Sequence, residues 1–568
     1  MEKKIITVKE LIEQNTEQFS KNIAYRMKRD NVYREWTYED VGRCIRNLSA
    51  ALSKLGVSKG DKIALVSENR PEWPISYLSI AYLGAVVVPL DALSQAKNLL
   101  YLIKDSGAKA IILSQKFLDL FGNSLNEAPE LKNIISMDAK EDKGKVLSYE
   151  RLITEQKKKP ESKVEVGDIL AILYTSGTTG VSKGVMLSHS NIMSNVKTVC
   201  SLVEIRPDDN LLSVLPLHHT FETTCGFLTP FFSGAAVTYA ESLKSYNLLK
   251  NMQETKVTLM CGVPLLYKLF FDGILREVEE KGIVAKALFG ILFFVSRVIK
   301  SLTGLNIGRI LFSMVHKKLG RSIRFWVSGG AAIDPKIIKG FDLMGITILQ
   351  GYGLTESSPI ITCSTLKDNR IGSIGKAMTG IEVKIDKPNE QGIGEIIAKG
   401  PNIMKGYYKR EDLTAEVIKN GWLYTGDVGY IDKDGYVYIT GRIKDVIVTG
   451  TGLNVYPEEV ELELDRSPFV KESCILGRKV KIGAKAGMEE VFAIVLPDVE
   501  YFEKYGKAKN IEIDQDFIRR KIGEEIKKVN DALPEYKKIA NFELRSEDFP
   551  KTSTRKIKRF VVRKEYRL

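Results

Sequence analysis

A chain of 568 residues is too long for one hydrophobic core, so two or more domains are expected. Hydrophobic residues at 44% and charged residues at 27% exclude wholesale disorder, while 84 Lys and Arg against 71 Asp and Glu give a net charge of +13. That charge suits a polyanionic ligand, an acidic lipid surface or nucleic acid, and does not choose among them. Six cysteines without a CxxC pair offer neither a zinc ribbon nor a dense disulfide framework and fit a reducing cytosol. The start, MEKKIITVKELIEQN, lacks the apolar core of a signal peptide. The longest apolar stretch, Ala287 to Val295, is well short of the roughly 20 residues a bilayer span needs. The chain reads as cytoplasmic, with a peripheral contact on the inner face of a membrane left open.

In chain order, KIALVS (62–67) is predicted as a strand, 71–83 as a helix, and AVVVPL (85–90) and KAIILS (109–114) as further strands. The pattern returns at ILAILYTS (169–176), AAVTYA (235–240), VTLMCG (257–262) and IRFWVS (323–328). Strands alternating with helices imply parallel βαβ units and an α/β architecture. Between 273 and 321 bulky apolar residues mix with Arg297 and Lys300, and two readings stand: a buried helix pair, or a basic apolar helix lying in a lipid interface. After Pro388 Gly-rich turns suggest hairpins, and from about Lys444 a smaller α+β domain begins. The expected division is 1–443 and 444–568.

The segment YTSGTTGVSKG (174–184) directly follows the apolar run ILAIL. Its glycines let backbone approach an oxyanion closely, and its hydroxyls and Lys183 can contact phosphate oxygens. It is not a Walker A loop, because GxxxxGK[ST] occurs nowhere in the chain. Gly351-Tyr352-Gly353 is followed by Leu-Thr-Glu, so a kinase or dinucleotide fingerprint is absent too. His218 and His219 are adjacent, but no second cluster of zinc ligands accompanies them. No recognition helix, zinc finger or aromatic RNP segment is found, so nucleic acid is not an expected partner.

YTSGTTGVSKGV (174–185) resembles the first signature of the adenylate-forming superfamily, with Ser182 where that pattern usually has Pro. GYGLTES (351–357), YTGD (424–427), GRIKD (441–445), VSGGAAI (327–333), LPLHHTFE (215–222) and PKTSTRKIKR (550–559) resemble its other motifs, in the family's order. The resemblance implies a large N-terminal α/β domain and a small, mobile α+β C-terminal domain. It implies that Thr175, Ser176, Gly177, Thr178, Thr179, Gly180 and Lys183 hold ATP phosphates. It also implies that Tyr352, between Gly351 and Gly353, stacks on adenine, that Thr355 meets the α-phosphate, and that Glu356 holds Mg²⁺. Gly330 and Ala331 would line adenine and the acyl tunnel, His219 would border the carboxylate, and Asp427 and Arg442 would take the ribose. Lys444 would be the pivot between domains, Lys556 the adenylation lysine, and Gly452 and Asn454 the face used in the second step. Lys556 follows Arg555, where the family usually has Gly.

The activity so implied is formation of an acyl-adenylate and pyrophosphate from ATP and a carboxylic acid, then transfer to coenzyme A. A carboxylate is already ionised near neutral pH and needs no general base, so the site must supply positive charge instead. VSGGAAI, HHTFE and the apolar, basic stretch before Arg321 favour a medium- to long-chain fatty acid, with membrane contact through 284–321 and with a homodimer allowed. An aryl acid, or acyl carrier protein as acceptor, remains the alternative, and a non-catalytic nucleic-acid or membrane binding protein is a distant one.

Overall fold

Every strand expected from an apolar run is present, and its alternation explains why the runs are apolar throughout. In Lys62–Val66, Ile63 and Leu65 belong to one core while Ala64 and Val66 belong to another on the opposite face. Ala110–Leu113 divides in the same way, Ala110 and Ile112 to the first core, Ile111 and Leu113 to the second. A parallel sheet covered on both faces requires this pattern. The expected helix is Glu72–Leu83, buried on every side.

The computed structural model describes residues 5–155, 161–176, 182–449, 453–480, 488–552 and 555–568. Two compact units emerge: Met1–Val383 with Ala398–Leu423, and Lys384–Ile397 with Tyr424–Leu568. Among its described residues the first unit is α/β and contains a nine-stranded and an eight-stranded sheet. The parallel part of the nine-stranded sheet runs, neighbour by neighbour, through Ile23–Arg29, Ala236–Tyr239, Asn210–Ser213, Leu259–Gly262, Phe325–Ser328 and Thr347–Gly353. In the eight-stranded sheet Ile169–Ser176 pairs antiparallel with Ser182–Ser188, whose other edge carries Gly406–Tyr407.

The second unit is α+β. Val470–Lys479 pairs antiparallel with Glu489–Pro497, which pairs parallel with Asn541–Leu544. Val491, Ala493 and Val495 face a core shared with Ile518, Ile522 and Ile526, whereas Phe492, Ile494 and Leu496 face one shared with Phe549 and Val562. The period of two therefore explains why helices cover both faces of so small a sheet.

Of the two readings of 273–321, the buried pair fails. Pro264–Glu280 and Ile283–Thr303 are helices, but Ser296 is the one residue of the second that is buried. No described helix is long and apolar enough to cross a membrane.

Candidate active site

Ligands of open α/β sheets gather at the carboxyl ends of parallel strands, and three of the sequence motifs meet there. Phe325–Ser328 and Thr347–Gly353 run in register, with Ser328 opposite Gln350, so Gly329, just past its strand, lies beside Gly351. A Cβ on Gly329 would stand 3.0 Å from the Phe221 ring and 3.5 Å from the Gly351 carbonyl oxygen. Only glycine fits there without moving a neighbour. VSGGAAI, HHTFE and GYGLTES are thus one locus, although more than a hundred residues separate the first and last of them in the chain. Gly330 and Ala331 are exposed, and a Cβ on Gly351 would meet no described atom within 4 Å, so this strand end borders open space. Tyr352 is buried at the strand end, and Thr355 lies on the 3₁₀ turn Thr355–Ser357.

Glu356 is held from two sides. Its carbonyl accepts the Met404 N–H at 2.9 Å, and its Oε1 accepts the Tyr407 hydroxyl at 2.8 Å. Burial and the Glu356 carboxylate push the Tyr407 phenol well above its ordinary value, so Tyr407 remains a proton donor. The ammonium of Lys183 lies 5.0 Å from the centroid of the same Tyr407 ring. Lys183 stands opposite Thr175, and Ser182 opposite Ser176, at the mouth of the phosphate loop. Gly177, Thr178, Thr179 and Gly180 lie outside the described residues. Tyr407 therefore links the loop lysine to the expected metal-holding carboxylate. Sequence reading missed it, since an aromatic in a Gly-rich turn carries no periodic signal.

The segment ahead of Met404 is fixed by the helix His189–Val203, which starts on a Ser188–Asn191 capping box. Asn191 donates to the carbonyls of Pro401 and Ile403 at 2.7 and 2.8 Å, and Asn195 accepts the Ile360 N–H at 2.7 Å. Asn402 donates to the carbonyls of Ser357 and Ile360. These amides, also missed in the sequence, determine where Glu356 sits.

His219 begins the turn that enters the π-helix Glu222–Leu228; its Nδ1 accepts the Phe221 N–H at 3.3 Å. His218 instead meets Asp91, Nε2 to Oδ1 at 3.3 Å, and burial pushes its imidazole down against that carboxylate. Glu222 is fully buried. Ser213 donates to its Oε1 at 2.5 Å, and Oε2 finds no hydrogen-bond partner among the described residues. Its carboxyl fills the space left by the missing side chain of Gly226, where a Cβ would stand 2.4 Å away. Burial pushes the Glu222 pKa up to about 8, opposed by the Ser213 hydrogen bond. Sequence reading quoted this residue without giving it a role.

In the second unit Asp427 pairs across the hairpin with Arg442, Oδ1 to Nε at 2.8 Å. Lys444 is exposed on the 3₁₀ turn Ile443–Asp445, and Asn454 is exposed on the short strand opposite Val448; Gly452 lies outside the described residues. Lys556 ends a turn closed by the Thr552 N–H donating to its carbonyl at 2.8 Å. The residue as a whole keeps exposed surface, while dehydration of the ammonium by surrounding protein, and then the Arg442 guanidinium, push its pKa down against Asp427 and Glu458. Lys556, Arg442 and Asp427 thus form one electrostatic group. Arg559, missed in the sequence, braces it from below by pairing with Glu458 at 3.3 Å, Asp445 at 3.5 Å and Glu461.

Arg555 has φ of +66°, the left-handed region that favours glycine. Arg555→Gly is expected to raise stability by about 0.5 kcal/mol, because ~1–2 kcal/mol of relieved strain outweighs ~0.5–1 of added freedom in the unfolded chain. Urea unfolding measures this, and a less stable variant would contradict the left-handed turn.

Residues 12–408 match the family described as AMP-binding enzyme. The chain is similar to a peroxisomal long chain acyl-CoA synthetase of Arabidopsis thaliana, 29% identical over 87% of this chain and 73% of that one. It is also similar to a long-chain-fatty-acid–CoA ligase of Mycobacterium bovis, 27% identical over 96% and 93%. Among solved structures it resembles an anthranilate CoA ligase in complex with anthranoyl-AMP, with a TM-score of 0.79, 23% identity, and coverage of 99% and 97%.

Proposed function

We infer, from the premise that the chain belongs to the AMP-binding enzyme family and is by class an adenylate-forming acid–CoA ligase, that its acid is a fatty acid of medium to long chain. The observation that carries the class assignment to named atoms is the Lys183–Tyr407–Glu356 cluster at the end of the phosphate-loop hairpin. The names of the two sequence relatives, both long-chain acyl-CoA ligases, support the choice of acid. The anthranilate ligase among the structural relatives keeps an aryl acid as the second reading.

In the first step an ionised acid attacks the α-phosphorus of ATP, and both reactants are anionic. The barrier is therefore electrostatic and positional, and cations placed in advance lower it most. Lys183 and the backbone of 175–180 would hold the β- and γ-phosphates, Thr355 the α-phosphate, and Tyr352 with Gly351, Gly353, Gly330 and Ala331 the adenine. Asp427 and Arg442 would take the ribose hydroxyls, and His219 would border the acid. Magnesium typically binds one or two carboxylates together with substrate phosphates, a role that Glu356, oriented by Tyr407, fits. When bound it supplies Lewis-acid charge to phosphate oxygens. Lys556 would neutralise charge at the α-phosphate, with its ammonium drawn toward the nucleotide as Arg442 turns to the ribose.

In the second step the coenzyme A thiol gives up its proton as its sulfur bonds to the acyl carbon, and AMP leaves with the electrons of the broken acyl C–O bond. A lysine at phosphate has no part in that step. Rotation at Lys444 exchanging Lys556 for the face of Gly452 and Asn454 would serve both steps, as hinge motions of a few residues do elsewhere. Domains 1–443 and 444–568 are the moving bodies in this reading. Acyl carrier protein in place of coenzyme A is the alternative acceptor. A cytoplasmic enzyme resting on the inner membrane face through 284–321 would meet its acid in the lipid, and a homodimer is compatible with the reading.

The test is thioester formation with ATP, Mg²⁺ and coenzyme A from palmitate, octanoate and benzoate. Robust palmitoyl-CoA supports the fatty-acid reading; benzoyl-CoA without palmitoyl-CoA would replace it by the aryl one. A second measurement isolates positioning. Tyr407→Phe is expected to raise KM for MgATP about 5- to 20-fold, with a smaller change in kcat, because it removes a hydrogen bond of about 1–2 kcal/mol from the carboxylate. An unchanged KM would detach Tyr407 from the metal site.

A further inference from the structure

We propose that the outer face of the helix Ile283–Thr303, with the segment that follows it, is a docking surface for an anionic lipid bilayer. The helix is apolar on two sides. Phe289, Leu292 and Phe293 pack inward on the core, and Ser296 donates to the Leu343 carbonyl at 2.7 Å. The other side carries a second stripe at helical spacing: Val284 is 82% exposed, Leu288 55%, Ile291 58%, Phe294 65% and Leu302 79%. Leu305, Ile310 and Met314 extend the exposed apolar surface beyond the helix. A helix apolar all round belongs inside a protein or in lipid, and a surface of this extent left in water marks an interaction site.

The charge around the stripe selects the occupant. From Lys281 to Arg321 the chain has eight Lys or Arg and no Asp or Glu. Some of these pair with acids of neighbouring segments: Lys281 and Lys318 with Glu277, Lys286 with Glu279 and Lys300 with Asp342. Arg297, Arg309, Lys317 and Arg321 are exposed. An apolar stripe flanked by cations matches a membrane interface, where the stripe enters the acyl boundary and the cations meet acidic headgroups. A second copy of this chain fits worse, because a two-fold contact would set two acid-free cationic segments against each other. The docking surface would give the enzyme direct access to a lipid-borne acid. It rests on the fatty-acid reading for that purpose alone, not for its physics.

Flotation of the purified full-length chain with phosphatidylcholine vesicles, with and without about one-third phosphatidylglycerol, tests the proposal. Wild type is expected to float with the anionic vesicles, and to do so less as salt rises from about 50 to about 500 mM. The double variant I291S/F294S is expected to lose at least about tenfold in partitioning, and R297Q/K317Q to lose binding chiefly at low salt. All four side chains are exposed, and thermal unfolding checks that the variants stay folded. ATP–pyrophosphate exchange with soluble octanoate, measured without vesicles, reports the catalytic reading separately and is expected to be unchanged in both variants. Equal binding to neutral and anionic vesicles, or equal flotation of wild type and I291S/F294S, overturns the proposal. So does a concentration-dependent dimer that I291S/F294S abolishes while neither protein floats, which would assign the face to a second copy.

Discussion

Lys556→Ala is expected to lower adenylate formation by about 10²–10³-fold, equivalent to roughly 3–4 kcal/mol of transition-state stabilisation. Thioester formation from supplied acyl-adenylate is expected to stay within a few-fold of wild type. The asymmetry follows from charge. In the first step negative charge builds on phosphate oxygens and on departing pyrophosphate, and the proposed Lys556 ammonium, carried on a backbone turn closed by Thr552, would offset it. In the second step the sulfur of coenzyme A attacks carbon and AMP departs with the electrons of the broken bond. Burial, and then the Arg442 guanidinium, push the Lys556 pKa down. An anionic nucleotide would supply the missing counter-charge. ATP–pyrophosphate exchange reads the first step and coenzyme A-dependent consumption of acyl-adenylate the second. Equal loss in both would remove Lys556 from the role assigned to it.

Wild-type protein is expected to lose about 3 kcal/mol of stability relative to Glu222→Gln between pH 5.5 and pH 8.5. Glu222 has its folded pKa raised to about 8, whereas an exposed glutamate in the unfolded chain titrates near 4.3. Over the interval between these values the folded state holds a proton that the unfolded state has released. Stability therefore falls as pH rises from the unfolded value through the folded one, and becomes level above it. Glutamine is neutral at every pH and removes this slope while keeping the shape that fills the space above Gly226. Urea unfolding of both proteins at the two pH values gives the difference. Parallel curves would mean that water or a counter-charge reaches the carboxyl in solution. Because Glu222 lies three residues after His219, a pH-dependent local opening at the π-helix would also be felt at the proposed acid site.

The parts of this protein that the sequence announces are those where chemistry or burial leaves no freedom. Strands buried on both faces read as uninterrupted apolar runs, so Lys62–Val66 and Ala110–Leu113 could be placed without knowing their neighbours. The motif segments were legible for the same reason: glycines and hydroxyls in the phosphate loop, and a close approach at Gly329, where any Cβ would press on the Phe221 ring. The partners that orient the site residues were not. Tyr407 reaches Glu356 across 51 positions of sequence, and Asn191 reaches Ile403 across 212, distances over which residue patterns carry no phase. The helix Ile283–Thr303 was ambiguous because it is apolar on both sides, so its period could not say which side is covered. Arg555 was recognised as a departure from the family pattern, but only its φ shows that the backbone kept the glycine-like turn.

The chain leaves the first unit at Val383 and returns to it at Ala398 before departing finally at Leu423. During synthesis the ribosome therefore releases the whole of the eight-stranded sheet except its last edge, Gly406–Tyr407, well before that edge exists. Until then the Ser182–Ser188 strand offers an open hydrogen-bonding rim, and Glu356 waits for its phenol. A truncated product ending at residue 383 would carry every other strand of that sheet yet remain sticky and unable to close the Glu356–Tyr407 corner. Nascent chains of about that length are where a chaperone would have the most to shield.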